Sequence, residues 1–287
     1  MVKLDKRYNN EDINSYKYVL KNDDDQKVYV YELQEILLDI LKDIDVICKK
    51  HNIPYILTGG SCLGAVRHEG FIPWDDDADI GMMIDDFKEF EKIIVNELPE
   101  KYVVHSFNLN SKYSIGIPSM KIRLKDSWCK ELNPLMANKC KDSDGIFIDV
   151  FILDYMNINK YAEYPARLLS LLMMSIVVLF ENLFINLVFM KKWFYKFSEY
   201  YSKRQKRKGS MYIGYNLDWT FGPIKNPTVY TYDSVFPAKY VKFEDTHLPI
   251  PNNPDELLSR EISPRYKELP SIKDRVPKHI KDIKIKE

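Results

Sequence analysis

The stretch YILTGGSCLGAVRHEGFIPWDDDADIGM, residues 55–82, decides the fold. Tyr55-Ile56-Leu57 is a short apolar run that ends at Gly59-Gly60, the pattern of a strand entering a tight turn. Gly59-Gly60-Ser61 then opens what reads as a short helix. Glycines at such a place let backbone N–H groups approach a phosphate, and the positive end of a helix favours an anion. The triplet alone is equally a common turn. Downstream, Trp74 precedes Asp75, Asp76, Asp77 and Asp79. With Asp77 to Met83 read as a strand, alternation puts Asp75, Asp77 and Asp79 on one face and turns Ala78 and Ile80 to the core. Carboxylates two residues apart repel, and a bound cation is the natural resolution; a solvated acidic turn is the plainer alternative.

The flanks complete this unit. Upstream, apolar residues fall at 33, 36, 37, 40, 41, 44, 47 and 48, the spacing of an amphipathic helix that stops before Pro54. Downstream, Lys121-Ile122-Arg123 reads as a strand with two basic residues on one side, able to face phosphate or simply solvent. Phe147-Ile148-Asp149-Val150-Phe151 sets one acid inside an apolar strand. Buried there, Asp149 needs a cation, a hydrogen-bond set or a proton; at a sheet edge it would only face water. Trp74 is expected to pack as a lid or core anchor near the site. Strand, glycine turn, helix, paired acids and a third strand with a single acid together describe a nucleotidyltransferase-type core.

Charge is balanced overall, 42 Lys plus Arg against 42 Asp plus Glu, so nothing global draws the chain to nucleic acid. Locally it is polarised. Residues 75–91 carry eight acids and one lysine, and residues 191–208 carry eight basic side chains and one acid, Glu199. Between them Leu168 to Met190 is the most apolar stretch, broken by Ser170, Ser175, Glu181, Asn182 and Asn186. It reads as a buried helical hairpin or core helix, as a surface that docks on anionic lipid together with the following lysines, or as a span, against which Glu181 speaks. Cys48, Cys62, Cys129 and Cys140 form no C-x-x-C pair, and the first residues lack a signal-peptide apolar segment, which places the chain by expectation in a reducing cytoplasm. Cys62 has no histidine partner to make it a nucleophile. Nine prolines from Pro223 to Pro277 predict loops and short helices in the last third.

Residues 55–82 closely resemble the signature of the LicD family, which includes bacterial phosphocholine transferases and the fukutin-type proteins. The resemblance extends through MKIRLKDS at 120–127 and GIFIDVFILD at 145–154, with looser echoes at FEDTHLPIPNNPDELL (243–258) and around Tyr266, Leu269-Pro270 and His279. It departs at Ala78, where the family has a larger aliphatic residue, and at Ser263-Pro264-Arg265-Tyr266, where a Tyr-Gly pair is usual. The expected architecture is α/β (α+β): a nucleotidyltransferase-like mixed sheet flanked by helices, with a helical insertion and an irregular C-terminal region. Residues 1–155 form the catalytic core, 156–210 an apolar and basic helical insertion, and 211–287 a wrapping region that completes the active site.

The activity this resemblance implies is metal-dependent transfer of a phospho-alcohol, phosphocholine foremost, from a CDP-linked donor to a hydroxyl of a cell-surface glycan or its lipid-linked precursor, releasing CMP. Asp77, Asp79 and Asp149 would be catalytic and would hold Mg²⁺ or Mn²⁺, two ions, with Asp75 as a further ligand. Asp149 is the candidate base or shared ligand. Gly59, Gly60 and Ser61 would meet the donor phosphates, and Arg67, His68, Lys121 and Arg123 would neutralise them or position substrate. The expected partners are the CDP-alcohol, the glycan acceptor and an anionic membrane surface met through 168–208, with no nucleic acid; the chain would be cytoplasmic, peripheral on the inner face. Rival readings are nucleotidyl transfer by attack at the alpha phosphorus, a D-x-D glycosyltransferase and a silent binding module. The glycosyltransferase would need a nucleotide-binding βαβ half ahead of the acids, and about 20 residues separate Tyr55 from Asp75.

Overall fold

The computed structural model describes residues 19–21, 27–106, 108–109, 120–132, 144–157, 159–215, 217 and 228–285. Two short strands, β1 (Val19–Lys21) and β2 (Lys27–Tyr29), lead into helix α1 (Val30–His51). The periodic residues Leu33, Leu37, Ile40, Leu41 and Ile44 are its buried face, and Asn52 ends it in the left-handed region at φ 54°. Strand β3 (Ile56–Leu57), helix α2 (Gly59–His68), strand β4 (Asp79–Met83) and helix α3 (Ile84–Glu97) follow. Next come β5 (Tyr102–Ser106), β6 (Met120–Leu124), β7 (Ser127–Glu131) and β8 (Phe147–Tyr155). Helices α4 (Lys160–Asn182) and α5 (Val188–Arg207) form a hairpin. Strands β9 (Tyr212–Tyr215) and β10 (Tyr230–Thr231), the short helix α6 (Tyr232–Val235), hairpin β11 (Lys239–Phe243) and β12 (Thr246–Ile250), helix α7 (Pro254–Glu261) and strand β13 (Ile280–Ile285) close the chain.

The fold is a mixed α+β structure built on β8. One edge of β8 pairs in parallel with β4, which continues antiparallel into β3; the other edge pairs antiparallel first with β6 and then with β9. The register determines what each face carries. Val150 lies beside Ile80 and Met120, Ile152 beside Met82, and Ile148 beside Ile122. All of these are buried, and α1 and α3 pack against β8. Alternation then forces Asp149, Asp79 and Lys121, mutual neighbours in register, onto the opposite face. Asp149 therefore sits mid-sheet, not at an edge.

Two expectations need correcting. The strand expected from Asp77 begins at Asp79. Residues 75–78 leave the regular ladder: the Asp75 N–H bonds back to Ile72 O, buried Gln34 of α1 donates to both Ile72 O and Asp75 O, and Asp76 turns inward. The last third is also more regular than its prolines imply. It supplies β9 and β10 to the main sheet and β13 to a second sheet of order β2-β1-β13-β7. Its prolines are tolerated where they stand: Pro249 is in a two-stranded hairpin, and Pro254 is the first residue of α7, where no N–H is needed.

Asp76 ties these parts together. Its fully buried carboxylate accepts the backbone N–H groups of Lys278, His279 and Ile280 at 2.7–3.2 Å, which fixes the start of β13 against the acidic loop. Removing it leaves three backbone donors without their acceptor, that of Ile280 buried. Asp76→Ala is expected to cost about 3 kcal/mol or more, lowering the melting temperature by on the order of 10 °C, with Asp76→Asn between it and the native chain. A calorimetric scan checks this; unchanged melting would mean that β13 is held from elsewhere.

Candidate active site

Helix α2 begins directly behind the acidic row. Ser61 Oγ accepts the Asp79 N–H at 2.9 Å, and Thr58 N–H donates to Asp79 O at 3.2 Å, so the glycine turn and the head of β4 are one unit. A Cβ on Gly59, which has φ +54°, would lie 3.2 Å from Asp79 Oδ2, and one on Gly60 would lie 2.5 Å from Asp75 Oδ2. The turn thus stays bare because carboxylates pass over it.

Asp75, Asp77, Asp79 and Asp149 crowd each other's charge. Burial, and then Asp77 and Asp76, push the Asp75 carboxyl well above its usual range; burial, and then Asp77 and Asp149, do the same to Asp79. Burial pushes Asp77 up to about 6, with His279 holding it back. Burial raises Asp149 to about 7, countered first by Lys121. Lys121 Nζ lies 3.1 Å from Asp149 Oδ1 and 3.2 Å from Glu131 Oε2, above the Phe147 ring. His279 Nδ1 lies 3.1 Å from Asp77 Oδ2. One ligand atom each from Asp75, Asp76, Asp77 and His279 lies within 4.8 Å of the others, though the Asp76 oxygens already accept backbone hydrogens. An all-oxygen carboxylate set with an imidazole beside it, raised in pKa by burial and then by its own repulsion, fits a hard divalent cation such as Mg²⁺ or Mn²⁺.

The remaining sequence candidates divide. Lys121 joins the row. Arg123 does not: it is almost fully buried and donates to Gly145 O at 2.9 Å and to Glu131 at 3.2 Å. Arg67 donates to Tyr266 O at 2.9 Å and Glu268 O at 3.2 Å, drawing the C-terminal segment over α2. His68 packs edge-on to buried Trp74, which lies beneath Arg275. Burial and the neighbouring Arg67 and Arg275 lower the His68 imidazole to about 4, so at neutral pH it is an uncharged ring. Cys62 is buried and burial raises its thiol, which leaves no thiolate nucleophile.

Three participants had no local signature. Glu131 on β7 partners both basic residues of β6. His279 stood out only as a loose echo of the family tail. Glu261, at the end of α7, accepts the Gly59 N–H at 3.0 Å, the Tyr215 hydroxyl at 2.7 Å and the Tyr230 hydroxyl at 2.6 Å. Its carboxyl is raised by burial and restrained by those donors. It occupies the positive end of α2 from about 200 residues away, a separation printed by no spacing rule.

Residues 52–171 match the family described as LicD/FKTN/FKRP, nucleotidyltransferase domain. A stretch of 77 residues is 40% identical to lipopolysaccharide cholinephosphotransferase LicD of Haemophilus influenzae, covering 27% of this chain and 29% of that protein. An uncharacterized protein of Rickettsia typhi, RT0683, is 38% identical over 89 residues, 28% of this chain and 29% of the relative. Ribitol 5-phosphate transferase FKRP of Homo sapiens is 46% identical over 41 residues, 14% of this chain and 8% of that protein. The matched stretches span less than a third of each relative. The matched domain contains β3 through β8 and the acidic row, whereas Glu261 and His279 lie beyond it.

Two outcomes test this electrostatic picture. Asp77 and Asp149 have folded-state carboxyls raised above their ordinary value of 3.8, so the metal-free fold binds more protons than the unfolded chain. Their contribution to stability is complete below pH 3.8 and is lost as pH rises to about 7. In EDTA, Asp149→Asn is expected to flatten the fall of melting temperature across that window, and the stabilisation by added Mn²⁺ is expected to grow from pH 5 to pH 8, roughly following deprotonation. Glu261→Ala is expected to cost about 2–4 kcal/mol, and Glu261→Gln less because its amide oxygen still accepts; denaturant melts separate the two.

Proposed function

We propose that this chain, whose residues 52–171 carry a LicD/FKTN/FKRP-type nucleotidyltransferase domain, transfers a phospho-alcohol from a CDP-linked donor to a glycan hydroxyl and releases CMP. The observation that carries this reading is the pairing of Asp79 with Asp149 on one sheet face, with Asp77 brought close enough from the preceding loop to act on the charge of Asp79, beside the Gly59-Gly60 turn. The names of the Haemophilus and human relatives, a cholinephosphotransferase and a ribitol 5-phosphate transferase, support a phospho-alcohol as the transferred group, phosphocholine foremost. The acceptor on this reading is a cell-surface glycan or its lipid-linked precursor, presented to a cytoplasmic protein peripheral on the inner membrane face.

Asp75, Asp77, Asp79 and Asp149 would hold Mg²⁺ or Mn²⁺, two ions, which supply charge cancellation and Lewis acidity when bound. The protein's own part is positioning. Asp149, with a carboxyl near neutrality and its orientation held by Lys121, is placed to take the acceptor hydroxyl proton. Gly59 and Gly60 keep the turn bare under the carboxylates that pass over it and Glu261 holds the Gly59 N–H, so the donor phosphates would approach this end of α2 through the cations that those carboxylates hold. Arg67, close enough to Asp75 to interact with it, is available to the phosphate charge, while neutral His68 and Trp74 offer an apolar wall. Residues 211–287 complete the site through Glu261 and His279.

The test incubates the protein and Mn²⁺ with CDP-choline, CDP-ribitol or CDP-glycerol, with and without a lipid-linked glycan extract, and follows phosphorus NMR. Metal- and acceptor-dependent CMP release from one donor is expected, and Asp77→Asn or Asp79→Asn should lower it by about 10³-fold or more. Pyrophosphate release from a nucleoside triphosphate, with all three CDP donors untouched, would replace this reading with nucleotidyl transfer.

A further inference from the structure

Helix α4 is inside out. Its buried side holds Glu163, Arg167, Ser170 and Glu181 beside Met174 and Val177. Its exposed side holds Leu168, Leu172, Ile176 and Leu179, which recur every three or four residues along one stripe, with Leu169 beside them and exposed Leu183 at the C-cap. A water-facing helix carries the reverse pattern. The rotation of α4 is not arbitrary, because the buried polar groups pin it. Glu163 accepts the Tyr201 hydroxyl at 2.7 Å and the Asn157 N–H at 2.5 Å, Arg167 donates to Tyr215 O at 3.0 Å, and Glu181 pairs with Lys191 of α5. Turning the leucines inward would break all of these.

The turn and α5 add further exposed apolar residues and exposed positive charge. At the turn Phe184 is 89% exposed, and on α5 Phe189 is 71% exposed. Lys192, Trp193, Lys196, Tyr200, Arg204 and Arg207 follow on the exposed side of α5. Among the described residues Lys192, Lys196, Arg204 and Arg207 make no ion pair, whereas Lys203 and Lys206 are engaged by Glu199 and Asp85. Lys191, which the sequence grouped with this run, is buried and neutralises Glu181 instead.

We propose that the α4–α5 hairpin is a membrane-docking element that lies in the plane of an anionic lipid surface. The aliphatic face of α4 and the Phe184–Ile185 turn enter the acyl boundary, Trp193 and Tyr200 sit at headgroup level, and the unpaired basic residues of α5 meet lipid phosphates. A span is disfavoured because the other face of α4 is fastened to the protein through charged pairs. A second copy of this chain is disfavoured because a two-fold contact would set the basic face of α5 against itself. The inference rests on the hairpin alone, and its test needs no turnover.

The full chain is co-sedimented with vesicles of phosphatidylcholine containing phosphatidylglycerol and with vesicles of phosphatidylcholine alone. Binding to the anionic vesicles is expected, weakened about tenfold or more by L172E/L179E and likewise by K192E/K196E/R204E/R207E. These side chains are exposed, so circular dichroism should be unchanged. Should a variant fail to fold, an environment-sensitive fluorophore on Phe184→Cys gives an independent reading: its emission should shift to the blue with anionic vesicles only. No binding by the native chain, binding indifferent to both variants, or a dimer dispersed by L172E without vesicle affinity would each overturn the proposal.

Discussion

The repulsion among four half-buried carboxylates, Asp75, Asp77, Asp79 and Asp149, is the constraint around which the rest is arranged. Asp79 and Asp149 are neighbours because β4 and β8 pair in parallel at that register, and no rotamer choice separates them without moving a strand. Most of the polar groups nearby answer that repulsion. Lys121 stands on the third strand of the same row, His279 reaches Asp77 from the C-terminal segment, and the Gly-Gly turn leaves space where side chains would collide. Such an arrangement is expensive unless something cationic occupies it, and folds tolerate costs of that kind mainly at working sites.

Two sheets cooperate to hold the arrangement. The main sheet sets the row, and the second sheet brings Glu131 on β7 and the start of β13 to its rim. Glu131 pairs with both Lys121 and Arg123, and Lys121 in turn reaches Asp149. Asp76 and Glu261 act from behind, one gripping β13 and the other gripping the head of α2. Both are acids that satisfy backbone donors.

Much of this was legible in the sequence, for identifiable reasons. Apolar alternation in Phe147–Phe151 and helical spacing in Leu33–Cys48 are local, so the central strand and α1 could be read directly. The place of Asp79 and Asp149 on the face opposite the core followed from the same alternation. The extent of β4 did not, because Gln34 and Asp76 pull residues 75–78 off the ladder through partners 41 and about 200 positions away. Arg123 looked like a phosphate ligand because nothing in its own strand reveals Glu131 on the next. The apolar block at 168–190 gave no decision between core and surface, since composition does not say which way a helix is rotated; buried Glu163, Arg167 and Glu181 decide it.

The grip of Asp76 on Ile280 spans 204 residues, and it has a consequence for how the protein comes into being. On the ribosome, Asp76 emerges with its neighbouring acids about 200 residues before its three donors exist. Until then the acidic loop lacks its anchor and His279 is absent from Asp77. The nascent chain therefore carries the pieces of its site without the site, and closing so long a loop is a late, slow event in folding. A polypeptide cut before residue 278 would lack all three donors to Asp76 and the His279 partner of Asp77.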